Sequence, residues 1–173
     1  MLQDSWVWKI ALHKNMPSLI GPWIESGDTT IVDTAKKHEL GTRAFDANGN
    51  EYIYLTGVAN TVSGYWVTFD ELHITTLTVA DAKGRVAIAM AATVASTYGW
   101  YLIYGTRATV YASSPITNNA QLYLSSSPGM VDDADVAGDS IIGAWARSAL
   151  TTAGTALLTV ELSYPIVTDT AID

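Results

Sequence analysis

Hydrophobic and polar residues alternate along this chain in short runs that Gly, Pro, Ser and Asn residues interrupt. The pattern is densest between Thr97 and Trp145, where aromatic and β-branched residues dominate each run. Runs of this kind, separated by turn-forming residues, are typical of β-strands joined by tight connections. Four or five strands are expected in this stretch, and we assign them to residues 98–105, 107–112, 120–124 and 139–145. Short strands at this spacing predict an antiparallel sheet that closes on itself.

Similar runs on both sides of this stretch extend the prediction to eight to ten strands with little helix. The last strand is expected at residues 154–164, where Pro165 stops it. This pattern predicts an all-β fold, an antiparallel β-sandwich or β-barrel with an extended N-terminal arm. The expected organisation is an N-terminal arm and irregular segment, a β-domain and a C-terminal tail, at residues 1–37, 38–165 and 166–173.

Two local patterns give more specific predictions. Asn48-Gly49 separates two β-prone runs, and this dipeptide favours a hairpin with a type I′ turn, in which both central residues have positive φ. In the run from Val86 to Ala95, the larger residues share one parity and alanines share the other. Alanine is also the best helix former. We favour a strand, because the large residues keep a period of two.

Residues near the N-terminus also alternate, with Trp6, Trp8, Ile10 and Leu12 on one face. Met16-Pro17, Gly21-Pro22 and Gly27 then interrupt the chain and leave Trp23 in an irregular segment. One interpretation is an arm that adds a strand to a neighbouring molecule or lies across it. The other is the first strand of the domain's own sheet. The candidate contact residues of an arm are Trp6, Trp8, Ile10 and Trp23.

Composition narrows the range of partners. The 173 residues carry a net charge of −8, and only 15% of them are charged, against roughly 25% in ordinary soluble domains. Lysine and arginine are too sparse for phosphate neutralisation, so we expect neither nucleic acid nor an anionic membrane surface as a partner. A surface poor in charge is a hint of assembly with other subunits. The N-terminus lacks a signal-peptide pattern, and no apolar run approaches the roughly 20 residues of a spanning helix.

No constellation of residues typical of an active site is apparent. There is no cysteine, the three histidines are scattered, and neither a Gly-x-Ser-x-Gly motif nor a phosphate-binding glycine loop occurs. We therefore expect a protein that is not an enzyme and has no cofactor. The acidic run from Asp132 to Asp139 has two interpretations, a calcium-binding loop or a hydrated connection that improves solubility.

The six Trp and nine Tyr residues raise a separate alternative, because aromatic faces stack on sugar rings. Trp66, Trp100 and Trp145 lie inside predicted strands, where alternation buries about half of the side chains. Core packing is therefore the favoured role for most of them. A glycan- or receptor-binding β-module is kept as the alternative function.

Several motifs of the chain occur together, in order, between about residues 38 and 165. They are Leu40-Gly41-Thr42, Asn48-Gly49-Asn50-Glu51-Tyr52-Ile53-Tyr54, Tyr98-Gly99-Trp100 with a strand ending at Gly105, Ile141-Ile142-Gly143-Ala144, and a last β-strand ending in Pro165. In these motifs the chain resembles the small capsid cement or decoration proteins of tailed phages, the head-stabilising proteins. The long Trp-rich N-terminal segment departs from the short form of that family.

The resemblance implies a β-rich module that binds the outer surface of an assembled phage capsid and stabilises it. The implied partners are the major capsid protein and the chain itself, as a homodimer or homotrimer. The implied location is the outer capsid surface of the virion, after synthesis in the host cytoplasm. No catalytic, cofactor or metal residue is carried over from the family.

Overall fold

The computed structural model describes residues 23–25, 27–152 and 158–168, and it is almost entirely antiparallel β-structure. A short 3-10 helix, Asp28–Thr30, precedes the strands. The strands are β1 Arg43–Phe45, β2 Glu51–Thr56, β3 Trp66–Phe69, β4 Thr75–Leu77, β5 Gly84–Ala89, β6 Tyr98–Val110, β7 Gln121–Leu124, β8 Val131–Asp132, β9 Ser140–Ala146 and β10 Leu158–Val167. The predicted all-β class is confirmed. The predicted arm residues Trp6, Trp8 and Ile10 lie outside the described residues.

The sheet has a junction at which β5, β6 and β10 meet. β6 pairs with β5 through Tyr101 and Leu102, and the same edge of β6 then pairs with β10 from Tyr104 onwards. The end of β10 pairs in turn with the start of β5, through Ile166 and Arg85. Two branches leave this junction, β1-β2-β6-β5-β3-β4 on one side and β10-β9-β7-β8 on the other.

The first branch curls until β4 lies beside the end of β2. The Thr75 amide donates to Thr56 Oγ1 at 3.1 Å, and Thr75 Oγ1 donates to the Thr56 carbonyl at 2.9 Å. The Tyr101 hydroxyl donates to the same carbonyl at 3.0 Å. Inside the curl lies the smaller of two hydrophobic cores, formed by Ile53, Leu55, Val67, Phe69, Ala87, Ala89, Tyr101 and Ile103.

The opposite face of the same strands belongs to a larger core. Strand residues alternate between the two cores, so Tyr52 and Tyr54 of β2 face the larger core while Ile53 and Leu55 face the smaller. The second branch covers this larger core with Leu122, Ile141, Leu158, Val160, Leu162 and other buried residues. Both faces of β2, β3, β5 and β6 are therefore buried, as in strands at the centre of a layered fold.

The run that begins at Val86 is a strand, as predicted, but it ends at Ala89. Val86 and Ile88 face the larger core, and the small side chains Ala87 and Ala89 face the smaller. The thin alanine face leaves room for Tyr101, which is fully buried in the smaller core. Small residues here thus allow a close approach of the layers.

The predicted hairpin between β1 and β2 is confirmed, with Phe45 opposite Glu51. The predicted type I′ turn is wrong, because Gly49 has a φ of +82° whereas Asn48 has no positive φ. The Gly49 amide donates to the Asp46 carbonyl at 3.1 Å, which closes a four-residue turn from Asp46 to Gly49. Gly49, its last residue, has a left-handed backbone conformation. The buried Asp46 carboxylate accepts the Asn48 and Asn50 amides and so fixes this form.

The two runs predicted as separate strands at 98–105 and 107–112 form one continuous strand, β6. Gly105 lies in its middle with a φ of +110°, and a Cβ atom there would be 2.0 Å from Asn50 Oδ1. At this point β6 exchanges one partner for another. Because glycine adopts a positive φ without steric cost, β6 can continue through this change of partners.

Pro165 does not stop the last strand, contrary to the prediction. β10 continues through the proline to Val167. The register of β10 against β9 shifts between Leu162 and Ile166, and Tyr164 has a φ of +49°. Proline is tolerated at such a bulge because the local ladder hydrogen bond is already absent. The predicted boundaries of the arm, the domain and the tail stay predictions, although β10 extends across the predicted boundary between domain and tail at residues 165 and 166.

Candidate functional site

A pocket of about 380 Å³ opens on the side of the domain where the described chain begins. We call it the aromatic pocket, and it is lined by Trp23, Ile24, Asp28, Ile31, Asp33, Lys37, His38, Ala44 and Trp100. Its walls are mostly apolar, with two carboxylates and one ammonium group among them. A concave, largely apolar site with a few polar groups is typical of small-ligand binding.

The segment before β1 forms one wall of the aromatic pocket. Trp23 pairs with Phe45 through an isolated parallel bridge, and the Ile24 amide donates to the Phe45 carbonyl at 2.9 Å. The Ile24 side chain is buried in the larger core, whereas Trp23 is 54% exposed. The 3-10 helix then returns the chain to Asp33, whose backbone pairs with Tyr98. Trp23, a predicted contact residue, thus lines a pocket.

The floor of the aromatic pocket is a group of packed rings. The His38 ring lies 5.0 Å from that of Tyr54 and 5.2 Å from that of Trp100, and the latter two are also 5.2 Å apart. The Tyr54 hydroxyl donates to Asp33 Oδ2 at 2.7 Å and accepts the Lys37 amide at 3.3 Å. Burial, together with the hydrogen bond to Asp33, raises the pKa of Tyr54 to about 12. The hydrogen bond to Asp33 therefore fixes the Tyr54 ring, against which His38 and Trp100 pack.

Two charged side chains of the pocket have no hydrogen bond or ion pair within the described part of the chain, and we call them uncommitted. They are the Asp28 carboxylate and the Lys37 ammonium. Asp33 uses one carboxylate oxygen for Tyr54. The pocket therefore presents both hydrogen-bond acceptors and a donor to whatever occupies it.

A second surface lies on the other side of the β1–β2 hairpin. Ala44 lines the aromatic pocket, so the adjacent Arg43 points to the opposite face. We call this surface the tyrosine–arginine face, and it consists of Arg43, Arg85, Tyr104, Ile142, Tyr164 and Ile166. The register places Arg85 opposite Ile166, and Ile166 opposite Ile142, in one row across β5, β10 and β9. The four apolar or aromatic members are between 39% and 51% exposed.

A buried glutamate organises the tyrosine–arginine face. Glu51 is 2% exposed, and its carboxylate accepts Arg43 Nη1 at 3.0 Å and the Tyr164 hydroxyl at 2.5 Å. The hydrogen bond to Glu51, and next the burial of the phenol, raise the pKa of Tyr164. The Tyr164 ring stacks on the Tyr104 ring with 5.3 Å between their centres, and the Arg43 guanidinium lies 5.7 Å from the centre of the Tyr164 ring. These contacts hold exposed rings in fixed orientations.

Arg85 completes this face and has no carboxylate partner among the described residues. Its guanidinium lies 4.7 Å over the Phe69 ring and donates one hydrogen bond to the Asp70 carbonyl at 3.0 Å. Arg43, Arg85 and Tyr164 all line a small pocket of about 60 Å³. On a chain whose net charge is −8, the face thus presents a guanidinium that pairs with no carboxylate of residues 23–25, 27–152 and 158–168.

The acidic run on which the calcium hypothesis rested spreads its carboxylates over several local contacts. Asp133 accepts the Thr117 amide and hydroxyl, Asp139 accepts the Asp81 amide, and Asp132 accepts the Ala134 amide. Among residues 23–25, 27–152 and 158–168, no group of three His, Asp or Glu side chains is close enough to hold a metal ion. These carboxylates stabilise local turns and contacts, and the choice between the two interpretations stays a prediction.

The other tryptophans follow the expected alternation in part. Trp66 and Trp100 are buried, and Trp145 is half-buried. The sequence reasoning missed the tyrosine–arginine face, because its residues come from five strands between β1 and β10. Only the sheet register brings them together, and the nearest sequence signal was the unusual placement of Arg85 directly before an apolar run.

A comparison of the chain with known protein families, with curated proteins and with solved structures finds no match. Within the described ranges, no helix has the length and apolar character needed to cross a membrane. The aromatic pocket and the tyrosine–arginine face are therefore the basis for a functional proposal.

Proposed function

We propose that this chain is a structural virion protein that binds and stabilises the outer surface of an assembled phage capsid, as a cement or decoration protein. The observation that carries the proposal is the tyrosine–arginine face, a preorganised and exposed patch on a strand scaffold. The motif resemblance between residues 38 and 165 supports it independently.

The composition of the face suits docking to another protein. Tyrosine and arginine are enriched among the residues that dominate binding energy at protein interfaces. Tyr104 and Tyr164 are already stacked, so little side-chain entropy is lost when a partner covers them. Arg85, without a carboxylate partner in the described chain, suits an acidic side chain of a shell subunit.

The N-terminal segment supplies a second proposed contact. Trp6, Trp8 and Ile10 keep their predicted role as arm contacts, and Trp23 connects that segment to the β-domain. Since Ile24 is buried in the larger core, an arm would begin before it. The proposed mechanism is mass action, in which binding only the assembled, expanded lattice stabilises that state over the disassembled one.

The first experiment is a pelleting assay with expanded shells that lack this protein, quantified as copies bound per shell. We expect saturation at a symmetry-related copy number, and no binding to unexpanded shells. The absence of binding to expanded shells at micromolar concentration would overturn the proposal.

Two kinds of variant locate the contact. The double variant Tyr104→Ala/Arg85→Gln should lower shell affinity by about a hundredfold, because it removes a stacked ring and an interface guanidinium. Leu72→Ala is the matched control, since Leu72 is 64% exposed outside the face. Deletion of residues 1–22 tests the arm while it keeps Ile24, and full occupancy after the deletion would rule the arm out.

A further inference from the structure

We propose that the aromatic pocket binds a neutral sugar ring, a function separate from the shell attachment proposed above. The pocket volume of about 380 Å³ lies within the range of roughly 300–1,000 Å³ that is common for small-ligand sites. Its position on the opposite side of the β1–β2 hairpin leaves it accessible when the tyrosine–arginine face is covered.

The first argument concerns the apolar part of the pocket. The indole of Trp23 is 54% exposed and borders the opening, and Ile31 beside it is 50% exposed. An aromatic ring presents a flat apolar face with a polar edge, which matches the C–H face and the hydroxyl rim of a sugar. The packed rings of His38, Tyr54 and Trp100 below give this wall a rigid support.

The second argument concerns the polar groups. A sugar hydroxyl both donates and accepts, so its site needs both kinds of group. Asp28 and the second oxygen of Asp33 can accept, and the Lys37 ammonium can donate. Hydrogen bonds with these charged groups are stronger than those between neutral groups. The uncommitted groups of the pocket therefore match a neutral polyol.

The same groups favour a neutral sugar over another ligand of aromatic pockets, an organic cation such as choline. Aromatic rings and carboxylates attract quaternary ammonium groups. The Lys37 ammonium lines the same pocket and offsets the charge of one of its two carboxylates. It weakens the attraction for a quaternary ammonium group, which can accept no hydrogen bond, whereas a neutral sugar gains a hydrogen-bond donor from it.

Saturation-transfer NMR tests the proposal with glucose, galactose, N-acetylglucosamine and rhamnose, each added to the full chain, with choline as the competing probe. We expect at least one sugar to bind with a dissociation constant on the order of 1 mM and choline not to bind. Binding of choline without any sugar, or binding of none of the probes, would overturn the proposal.

Pocket variants then show where the sugar binds. Trp23→Ala should weaken binding by about tenfold, because it removes the stacking surface. Asp28→Asn keeps the shape and should weaken it by about threefold, since the charge-assisted bond is lost. Trp145→Ala is the control, as Trp145 does not line the pocket. Unchanged affinity in both pocket variants, with native circular dichroism, would place the sugar elsewhere and refute the proposal.

Discussion

The tyrosine–arginine face and the aromatic pocket lie on opposite sides of one hairpin, and they differ in how firmly their polar groups are held. On the face, the buried Glu51 fixes both Arg43 and Tyr164. In the pocket, only Asp33 is fixed, by Tyr54, while Asp28 and Lys37 are uncommitted in the described chain. The first arrangement suits recognition by a rigid surface, and the second leaves hydrogen-bonding capacity for a ligand.

The two surfaces therefore contribute unequally to the stability of the domain and to its binding chemistry. Face residues sit on strands, and Arg43 and Tyr164 both donate to the buried Glu51 carboxylate, so changing these two should affect folding as well as docking. Pocket residues sit mainly in the segment before β1, so changing them should affect ligand binding with little effect on folding. Four substitutions, ordered by expected size, test that contrast.

Of the four, Asp46→Ala is expected to have the largest effect, at the turn that joins the two strands bearing Arg43 and Glu51. The buried carboxylate accepts hydrogen bonds from Asn48, Asn50 and Tyr52, and its removal should lower the free energy of unfolding by about 3 kcal/mol. Urea denaturation measures the loss. Asp46→Asn, which keeps one acceptor, should lose about half as much.

The same carboxylate predicts an acid dependence. Burial alone would raise the pKa of Asp46, but its hydrogen bonds with Asn50, Tyr52 and Asn48 lower it below 3.8. Its contribution is therefore present above the unfolded-state value and is lost as the pH falls through the folded-state pKa. Wild-type and Asp46→Asn stabilities should converge at low pH, and parallel profiles would contradict this assignment.

Glu51→Ala should have the next largest effect, about 2 kcal/mol, because Arg43 and the Tyr164 hydroxyl lose their common partner. Tyr164→Phe removes only one of these hydrogen bonds and should cost about 1 kcal/mol. Chemical denaturation of both variants checks the order. A larger loss for Tyr164→Phe than for Glu51→Ala would show that Glu51 is not the organising group.

On the pocket side, Tyr54→Phe should cost about 1 kcal/mol, because it removes the hydrogen bond to Asp33. Since the folded-state pKa of Tyr54 is about 12 and the ordinary value is 10.0, its contribution is complete below pH 10 and declines as the pH rises toward 12. Thermal unfolding across this range should fall less steeply for Tyr54→Phe than for wild type. Identical slopes would mean that another group controls the alkaline transition.

The smallest effect on stability is expected from Trp23→Ala, within about 0.5 kcal/mol of wild type, because the indole is more than half exposed. The matched comparison is Trp66→Ala, where removal of a fully buried indole should cost about 4 kcal/mol. A loss for Trp23→Ala that approaches that of Trp66→Ala would erase the contrast between pocket and core.

The strand content of the fold was predictable from the sequence, because alternation and turn residues act locally. The hairpin at Asn48-Gly49 and the strand at Val86 follow directly from such patterns. The exceptions are positions where tertiary pairing overrides a local signal. Gly105 and Pro165 read as strand ends, yet Gly105 pairs with Leu162 inside β6, and Pro165 lies in a bulge inside β10.

The two surfaces were less predictable, for a physical reason. The exposed indole of Trp23 was singled out, but the neighbours that make it part of a pocket, such as Lys37 and Trp100, depend on the path of the chain. Arg43, Arg85 and Tyr164 meet only through long-range register. Local periodicity predicts which residues alternate, and it does not predict which strands become neighbours.

The junction of β5, β6 and β10 also has a consequence for how the chain is made. β10 follows the nine other strands in sequence, yet it pairs with β5, β6 and β9 and so joins the two branches of the sheet. During translation, β5 and β6 would leave the ribosome long before the strand that completes their edges. Their unpaired backbone groups would stay exposed for that interval, so slower synthesis before residue 158 should increase aggregation of the nascent protein.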